Sequence, residues 1–544
     1  MILMSKALPG MRIFEIQPYF NIYEFFPNIE DTTATMSIDQ MDSIREVVNY
    51  RGWTIGPSAP PINFITTTWC DTLAYYTTQS RTLGWITTQT IANKYLNYFS
   101  TAKTQLQSNN FSGAKTTLLQ VLTDVNVDSS STLTSEAYAL LRFNVEYLIG
   151  HIPPNKPEGV QGLFKNSQAT TVTWNGEYSP TMLPNGGGYN LYRAVYYDGS
   201  SLSYTKLNAS LLTTTSYTDN PVIATTIPAG KNVYLKYYLI AQNNLNVTSV
   251  PSDTVSLFVG KTVSGPITVN TTWSENKIIV GDVTVSSGKT LIISAGKIIR
   301  FANNQNLISN GVLTAIGSTT LPITFTSLND TVPGSWGSIV MEGDAGTLSK
   351  IDYGIVQYGT EVFGVNMPWI GIFISNCTIK NMINGVRINS SNAWVIDSKI
   401  IEPRDHGIIA ENEATVASYH NIINKTGFSG AGILYAGGAY DYVWGNKISG
   451  FSWGIGAIAG SSPTFGHPSN GGENNLLTNC EYGLMFYSES YPAVGYPSDW
   501  DDGMTYGNNV FNNGINVDLN NSPDDYIYAN NVYWGLTDLD SIGN

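Results

Sequence analysis

The chain has 544 residues, too many for one ordinary domain and enough for three or four at a typical size of about 150 residues. Hydrophobic residues make up 42% and charged residues only 12%, so packed interiors are available while Asn, Thr, Ser, Gly and Tyr must cover much of the surface, as in β-rich exported proteins. A formal net charge of -14 excludes nucleic-acid backbones and anionic membranes as natural partners and leaves cations, neutral glycans and proteins.

Residues 1–60 mix apolar and polar side chains without a sustained period and run into the break Gly56-Pro57-Ser58-Ala59-Pro60-Pro61, which reads as an irregular remnant and a linker. The start through Arg12 lacks a basic stretch followed by an unbroken apolar one, so no signal peptide is visible, although the composition is that of a secreted or cell-surface protein. A fragment of a longer chain is therefore expected. No apolar run reaches the roughly 18 residues that span a bilayer. Cys70, Cys377 and Cys480 are too few and too scattered for a disulfide framework and read as small buried apolar residues.

Over residues 61–152 the apolar spacing becomes helical. Leu96, Phe99 and Leu106, then Ala114, Leu118, Leu122 and Val125, then Ala137, Leu140, Leu141, Val145 and Leu148 recur every three or four positions. Ser108-Asn109-Asn110 and Asp128 to Ser131 break the pattern, and Thr134-Ser135-Glu136 reads as an N-terminal cap. A small bundle packing on itself is expected.

After the Pro-rich hinge Ile152 to Pro157 the period falls to two. Strand-like runs stand at Thr170 to Trp174, Tyr189 to Tyr197, Ser216 to Asp219, Val233 to Asn243 and Thr254 to Val259, so residues 153–260 predict a two-sheet sandwich. Trp174 in the second strand, Tyr189-Asn-Leu-Tyr192-Arg193 in the third, Tyr237-Tyr-Leu239-Ile-Ala241-Gln-Asn243 in the sixth and Pro251-Ser252 before the last make this stretch resemble a fibronectin type III domain. That resemblance implies a spacer or an adhesive unit.

Residues 261–544 repeat one phrase. An apolar residue flanked by Asn, Ser, Lys or Thr returns at Ile379, Ile400, Ile422, Ile448, Leu476, Val510 and Val532, at steps of 21, 22, 26, 28, 34 and 22. About 22 residues make three short strands and three turns, one coil of a solenoid, and the longer steps hold inserted loops. Two positions before these rungs stand Cys377, Ser398, His420, Asn446, Asn474, Asn508 and Asn530, a column that predicts an amide ladder and a buried, hydrogen-bonded His420. Leu291 and Leu313 lie one coil apart. Glycines precede apolar pairs at Gly385, Gly407, Gly432, Gly454 and Gly483, where a bend is expected to need freedom from steric limits.

These residues, with Asn530-Asn531-Val-Tyr533-Trp534-Gly535 near the end, resemble the right-handed parallel β-helix of the pectin-lyase-like superfamily, in the branch found on bacterial surface proteins. The resemblance implies the fold; its members include lyases, hydrolases, epimerases, adhesins and scaffolds. The fold class expected is thus mainly β, with a right-handed parallel β-helix after a sandwich and a small helical bundle. Absence of a cap beyond Gly535 implies truncation at this end too.

Hydrolysis of a glycoside needs two carboxyl groups roughly 5 to 9.5 Å apart, and lyase chemistry needs a base and a cation such as calcium. The resemblance directs attention to Trp394-Val-Ile-Asp397-Ser398 and Arg404-Asp405-His406-Gly407, yet the first lacks the His of the lyase phrase and the second the leading Gly of the hydrolase phrase. Asp397, Arg404, Asp405 and His406 are therefore catalytic candidates, against a plainer reading as a turn cap and a solvated ion pair. Asp499, Asp501 and Asp502 beside Gly503 are candidate ligands for calcium, the one cofactor considered, although their spacing fails the twelve-residue loop pattern. The four histidines show no zinc spacing.

Two insertions, Ser461 to Gly472 and Ser488 to Thr505, are expected to wall one groove. His467, Tyr491, Tyr496 and Trp500 within them, and Trp453 and Tyr487 nearby, are candidate ligand-binding residues, since exposed rings stack on the apolar faces of sugars. The alternative is that these rings pin the loops. The reading that results is a monomeric extracellular protein binding or presenting a polysaccharide or cell-surface glycan. A polysaccharide lyase or glycoside hydrolase comes second and a structural stalk third.

Overall fold

The structure, a computed structural model, describes residues 65–165, 168–175, 187–342, 348–367, 371–465, 475–487, 489–490, 492–494, 508–520, 528–529 and 532–533. The expected remnant and linker over residues 1–60 lies outside them.

Among the described residues four helices come first: α1 (Thr66–Thr82), α2 (Gln89–Gln107), α3 (Phe111–Asp128) and α4 (Ser135–His151). Each of the last three starts where a side chain satisfies an orphan amide: Thr88 accepts from Ile91, Asn110 from Gly113 and Thr134 from Ala137. The three- and four-residue spacing puts Leu118, Val121 and Val125 of α3 and Ala137, Leu141, Val145 and Leu148 of α4 in one core with Tyr95 and Phe99 of α2. The helices thus form a self-packed bundle, which touches the next layer where Asn243 Nδ2 donates to Gly150 O at 2.6 Å.

Two antiparallel sheets follow. Gln161–Phe164, Thr170–Thr173 and Ser216–Asp219 form one; Gly188–Tyr197, Thr205–Lys206, Asn232–Gln242 and the start of Val255–Ile267 form the other. Alternation along Asn232–Gln242 turns Val233, Leu235, Tyr237, Leu239 and Ala241 inward against Trp174 and Tyr189. Across the interior, Arg193 Nη1 lies 2.7 Å from Asp219 Oδ1, and the Tyr237 hydroxyl donates to Asp219 Oδ2 at 2.7 Å.

The last sandwich strand does not stop. Val255–Ile267 pairs antiparallel with Asn232–Gln242 and then parallel with Lys277–Val285, so it is also the first rung of a parallel β-helix. Above it, parallel strands stack in register on three faces. Face A is a single eleven-stranded sheet that includes Ser349–Asp352, Ile372–Ser375, Asn392–Ile396, Thr415–Tyr419, Tyr440–Trp444 and Ser462–Phe465. Face B carries Ile298–Phe301, Ile323–Ser327, Gly354–Gln357, Thr378–Lys380, Lys399–Ile401, Ile422–Asn424, Lys447–Ser449 and Leu476–Thr478. Face C carries Leu307–Ser309, Ile339–Met341, Val362–Val365, Val386–Asn389, Ile408–Glu411, Ala431–Ala436, Trp453–Ala457 and Tyr482–Tyr487. One continuous apolar core fills the coil.

The register corrects the expected rungs. Ile379, Ile400, Ile423, Ile448, Leu477 and Val510 pair in succession, so Ile423 and Leu477 take the inward places expected of Ile422 and Leu476. Ile422 is 37% exposed, and Val532 pairs with Asn508 instead of Val510. In Ile422-Ile423 and Leu476-Leu477 two apolar neighbours compete for one place, and a slip of one residue exchanges inside and outside. The choice at Ile423 follows from the turn: His420, at φ 57, bends the chain so that Asn421 and Ile423 enter the interior.

The ladder moves with the register. Cys377 N–H donates to Ser398 Oγ (3.1 Å), Ser398 N–H to Asn421 Oδ1 (2.9 Å), Asn421 Nδ2 to Asn446 Oδ1 (3.0 Å), Asn446 Nδ2 to Asn475 Oδ1 (3.0 Å) and Asn475 Nδ2 to Asn508 Oδ1 (2.8 Å). Asn421 and Asn475 hold the places expected of His420 and Asn474, the latter lying outside the described residues. His420 is half-buried at the corner instead, its Nδ1 3.4 Å from Asp397 Oδ1. The column of glycines also has another cause than expected. Gly385, Gly407, Gly432 and Gly454 lack positive φ, but a Cβ on Gly385 or Gly407 would sit 2.4 Å from the next coil's carbonyl oxygen.

Candidate functional site

Alternation along the strands of face A sends every second side chain outward. The central outward row reads Lys350, Phe373, Trp394, Ala417, with Tyr442 and Thr464 continuing it above. Successive rungs stand about 4.8 Å apart, so Phe373, Trp394 and Tyr442 form an aromatic strip along the axis. Trp394 is 37% exposed, whereas Ala417 between the larger side chains is 6% exposed. The Lys350 ammonium lies 4.8 Å from the centre of the Phe373 ring and 3.2 Å from Asp352 Oδ2.

Polar corners border the strip. Where face C turns into face A, an open pocket of about 460 Å³ is lined by Asn366, Ser390, Asn392, Asn412, Glu413 and Tyr440, among others. Its floor is made by turns whose residues take left-handed backbone, with Asn366 at φ 55, Ser390 at φ 48 and Asn412 at φ 54. Asn readily adopts that conformation and also brings an amide that both donates and accepts. Tyr440, 49% exposed, forms one wall, two positions before Tyr442 on the same strand.

At the opposite edge, where A turns into B, Tyr419 and Trp444 stack at 3.9 Å and 11°, with His420 edge-on to both. Asp352 stands on this edge and accepts from Ser375 Oγ (2.7 Å) and Asn376 Nδ2 (3.0 Å). Partial burial pushes its carboxyl up, but the hydrogen bonds from Asn376, Ser375 and Lys350 outweigh that and hold it below the ordinary range. It faces the strip as an anion.

The catalytic candidates do not converge. Asp397 occupies the turn from A to B at φ 50, whereas Arg404, Asp405 and His406 lie on the connection from B to C. The strand Lys399–Ile401, roughly 10 Å long, separates them. Arg404 and Asp405 pair on the surface at 3.3 Å. His406 Nδ1 accepts from the Ala431 amide at 2.9 Å, and its own amide donates to Asn384 Oδ1 at 3.2 Å, so it ties one coil to its neighbours.

Of the ligand-binding candidates, Trp453 lies on the outside of face C, its six-membered ring over Gly456 and beside Leu434. Tyr487 ends its strand near the corner on which the Tyr440 pocket opens and is 37% exposed. His467, Tyr491, Tyr496 and Trp500, and the metal candidates Asp499, Asp501 and Asp502, lie outside the described residues. Among the described residues no group of three or more His, Cys, Asp or Glu side chains could hold a metal ion, and no helix is long and apolar enough to cross a membrane.

Sequence reasoning missed face A. The signal was present: Phe373, Trp394 and Tyr442 stand at positions of opposite parity to the buried Ile374, Val395 and Val443. It also missed a network on face C, where Arg387 lies 2.7 Å from Glu411 and 3.7 Å from Glu361, and Asn384 Nδ2 donates to Glu361 at 2.9 Å. Arg387 is consumed by these partners.

No family model matches the chain, and no curated protein matches it. Among solved structures it is similar to a family 28 exopolygalacturonase of Yersinia enterocolitica, at 10% identity over 68% of this chain and 87% of that one, with a TM-score of 0.20. A likeness at that level bears on neither mechanism nor substrate.

Proposed function

We propose that face A binds an extended polysaccharide lying along the solenoid axis, as part of an exported protein in which a fibronectin type III-like sandwich acts as spacer. The observation that carries this reading is the outward strip of Phe373, Trp394 and Tyr442 ending beside the Asn- and Ser-lined pocket at Tyr440. Rings spaced by the coil repeat offer apolar surface to successive sugars, and the corner amides and hydroxyls meet their hydroxyl groups. The described catalytic candidates are committed elsewhere, His406 to a backbone amide and Arg404 to Asp405. Binding is therefore favoured over cleavage.

Affinity electrophoresis of the whole chain against a panel of soluble polysaccharides tests the reading, with reducing-end and unsaturated-uronate assays run in parallel. Trp394→Ala is expected to weaken retardation at least tenfold, about 1.4 kcal/mol, with an unchanged circular dichroism spectrum since the ring is partly exposed. Product release by the parent chain would instead make it an enzyme. Equal binding by Trp394→Ala and Tyr440→Ala would remove face A from consideration.

A further inference from the structure

The electrostatics of face A name the class of glycan, an inference that rests on the reading of this face as the binding surface. From Ser349 to Phe465, its outward strand positions and bounding turns carry one lysine, Lys350, and three carboxylates among the described residues, Asp352, Asp397 and Glu413, while Asp441 stands at an inward position of its strand. His420 is the remaining titratable group with cationic form, and it sits against Asp397. Lys350 is already paired with Asp352 and drawn over Phe373. Lys399 and Lys447 are exposed but begin strands of face B, around the corner.

A polymer with a carboxylate on every sugar would lay a line of negative charge along this acidic stretch, where the described residues of face A from Ser349 to Phe465 offer no cation beyond the paired Lys350 and His420 to meet it. Such like-charge juxtaposition is a means of rejecting a partner. Neutral sugars ask for something else. Their hydroxyls donate to carboxylates such as Glu413 and exchange hydrogen bonds with amides such as Asn366 and Asn412, which are the groups lining the pocket. We infer that face A is a site for uncharged polysaccharides and discriminates against polyuronates.

The test is calorimetric titration of the full chain with soluble xylan and glucomannan on one side and polygalacturonate and alginate on the other. Each is run in low salt and in about 0.3 M NaCl, where charges more than a few Å apart are screened, with EDTA and then with calcium. The expected result is at least tenfold tighter binding of a neutral glycan in low salt, a gap that narrows as salt rises. In Glu413→Gln the gap is expected to shrink through tighter polyuronate binding. A polyuronate bound as tightly as the neutral glycans, with or without calcium, overturns this inference while leaving face A a glycan site. Binding of no glycan at all overturns the reading beneath it.

Discussion

Asn446 shows what one side chain contributes to a solenoid. Its Nδ2 donates to Asn475 Oδ1 (3.0 Å) and Ser418 O (2.8 Å), and its Oδ1 accepts from the Asn421 amide and side chain (3.1 and 3.0 Å), all in a fully buried setting. Truncation to Ala strands several of these partners without water. Asn446→Ala is therefore expected to cost about 3 kcal/mol, at roughly 1 to 3 kcal/mol for each group left unpaired, read as a lower urea midpoint; an unchanged midpoint would mean that the ladder is ornamental. His406 supplies a pH dependence. Burial lowers its pKa below the ordinary 6.5, with Asp405 opposing and Lys425 reinforcing the fall. The unfolded chain then takes up a proton before the folded chain does, so the stability His406 contributes is full above pH 6.5 and is lost as pH drops from there toward the folded value. The melting temperature should fall less between pH 7.5 and 5.5 in His406→Gln than in the parent. Identical slopes would show that the Ala431 contact carries no proton linkage.

At the scale of the element, spacing reveals which residues repeat but not which of two neighbours faces in. Leu291 and Leu313 pair as their separation suggests, whereas Ile422 and Leu476 yield to Ile423 and Leu477, because a period-two strand is decided by its entry turn. The same blindness hid face A. The visible repeat came from the face B rungs such as Ile379, Ile400 and Ile448, whereas the aromatic residues stand outward on face A, one and two coils apart, so they were not seen as one strip. Glycine was legible as a column but not in its cause. Since a Cβ on Gly407 would meet Gly432 O at 2.4 Å and Ile423 Cγ2 at 2.6 Å, Gly407→Ala must push adjacent coils apart. A loss of about 1 to 3 kcal/mol is expected, the usual range for overpacking. The exposed Gly288, at φ 69 with open space around it, should respond by strain alone. If thermal melts show no loss in Gly407→Ala, the coils have more slack than their close backbone contact implies.

Across the whole molecule, sandwich and β-helix are mechanically one body at their junction. Val255–Ile267 belongs to both sheets. Ile278 and Leu328 of the first coils pack in the sandwich core, Gln168 Nε2 donates to Thr326 Oγ1 (2.9 Å), and Asn329 Nδ2 donates to Ile223 O (2.8 Å). The buried Arg300 guanidinium donates to Val259 O at 2.8 Å, and burial lowers its pKa to about 10. Opening the sandwich therefore strips the lowest coils of a strand, a core and a buried cation's partner together. In a solenoid, stability passes mainly between neighbouring coils, so the damage should fade upward. Leu235→Ala, a core deletion expected to cost about 2 to 5 kcal/mol, should speed amide hydrogen exchange in Asn232–Gln242, Lys277–Val285 and Ile298–Phe301 alike. Lys399–Ile401 and Lys447–Ser449 should keep their protection. Exchange that accelerates in the sandwich but leaves Lys277–Val285 untouched would mean that the shared strand transmits nothing, and that the two layers unfold as separate domains.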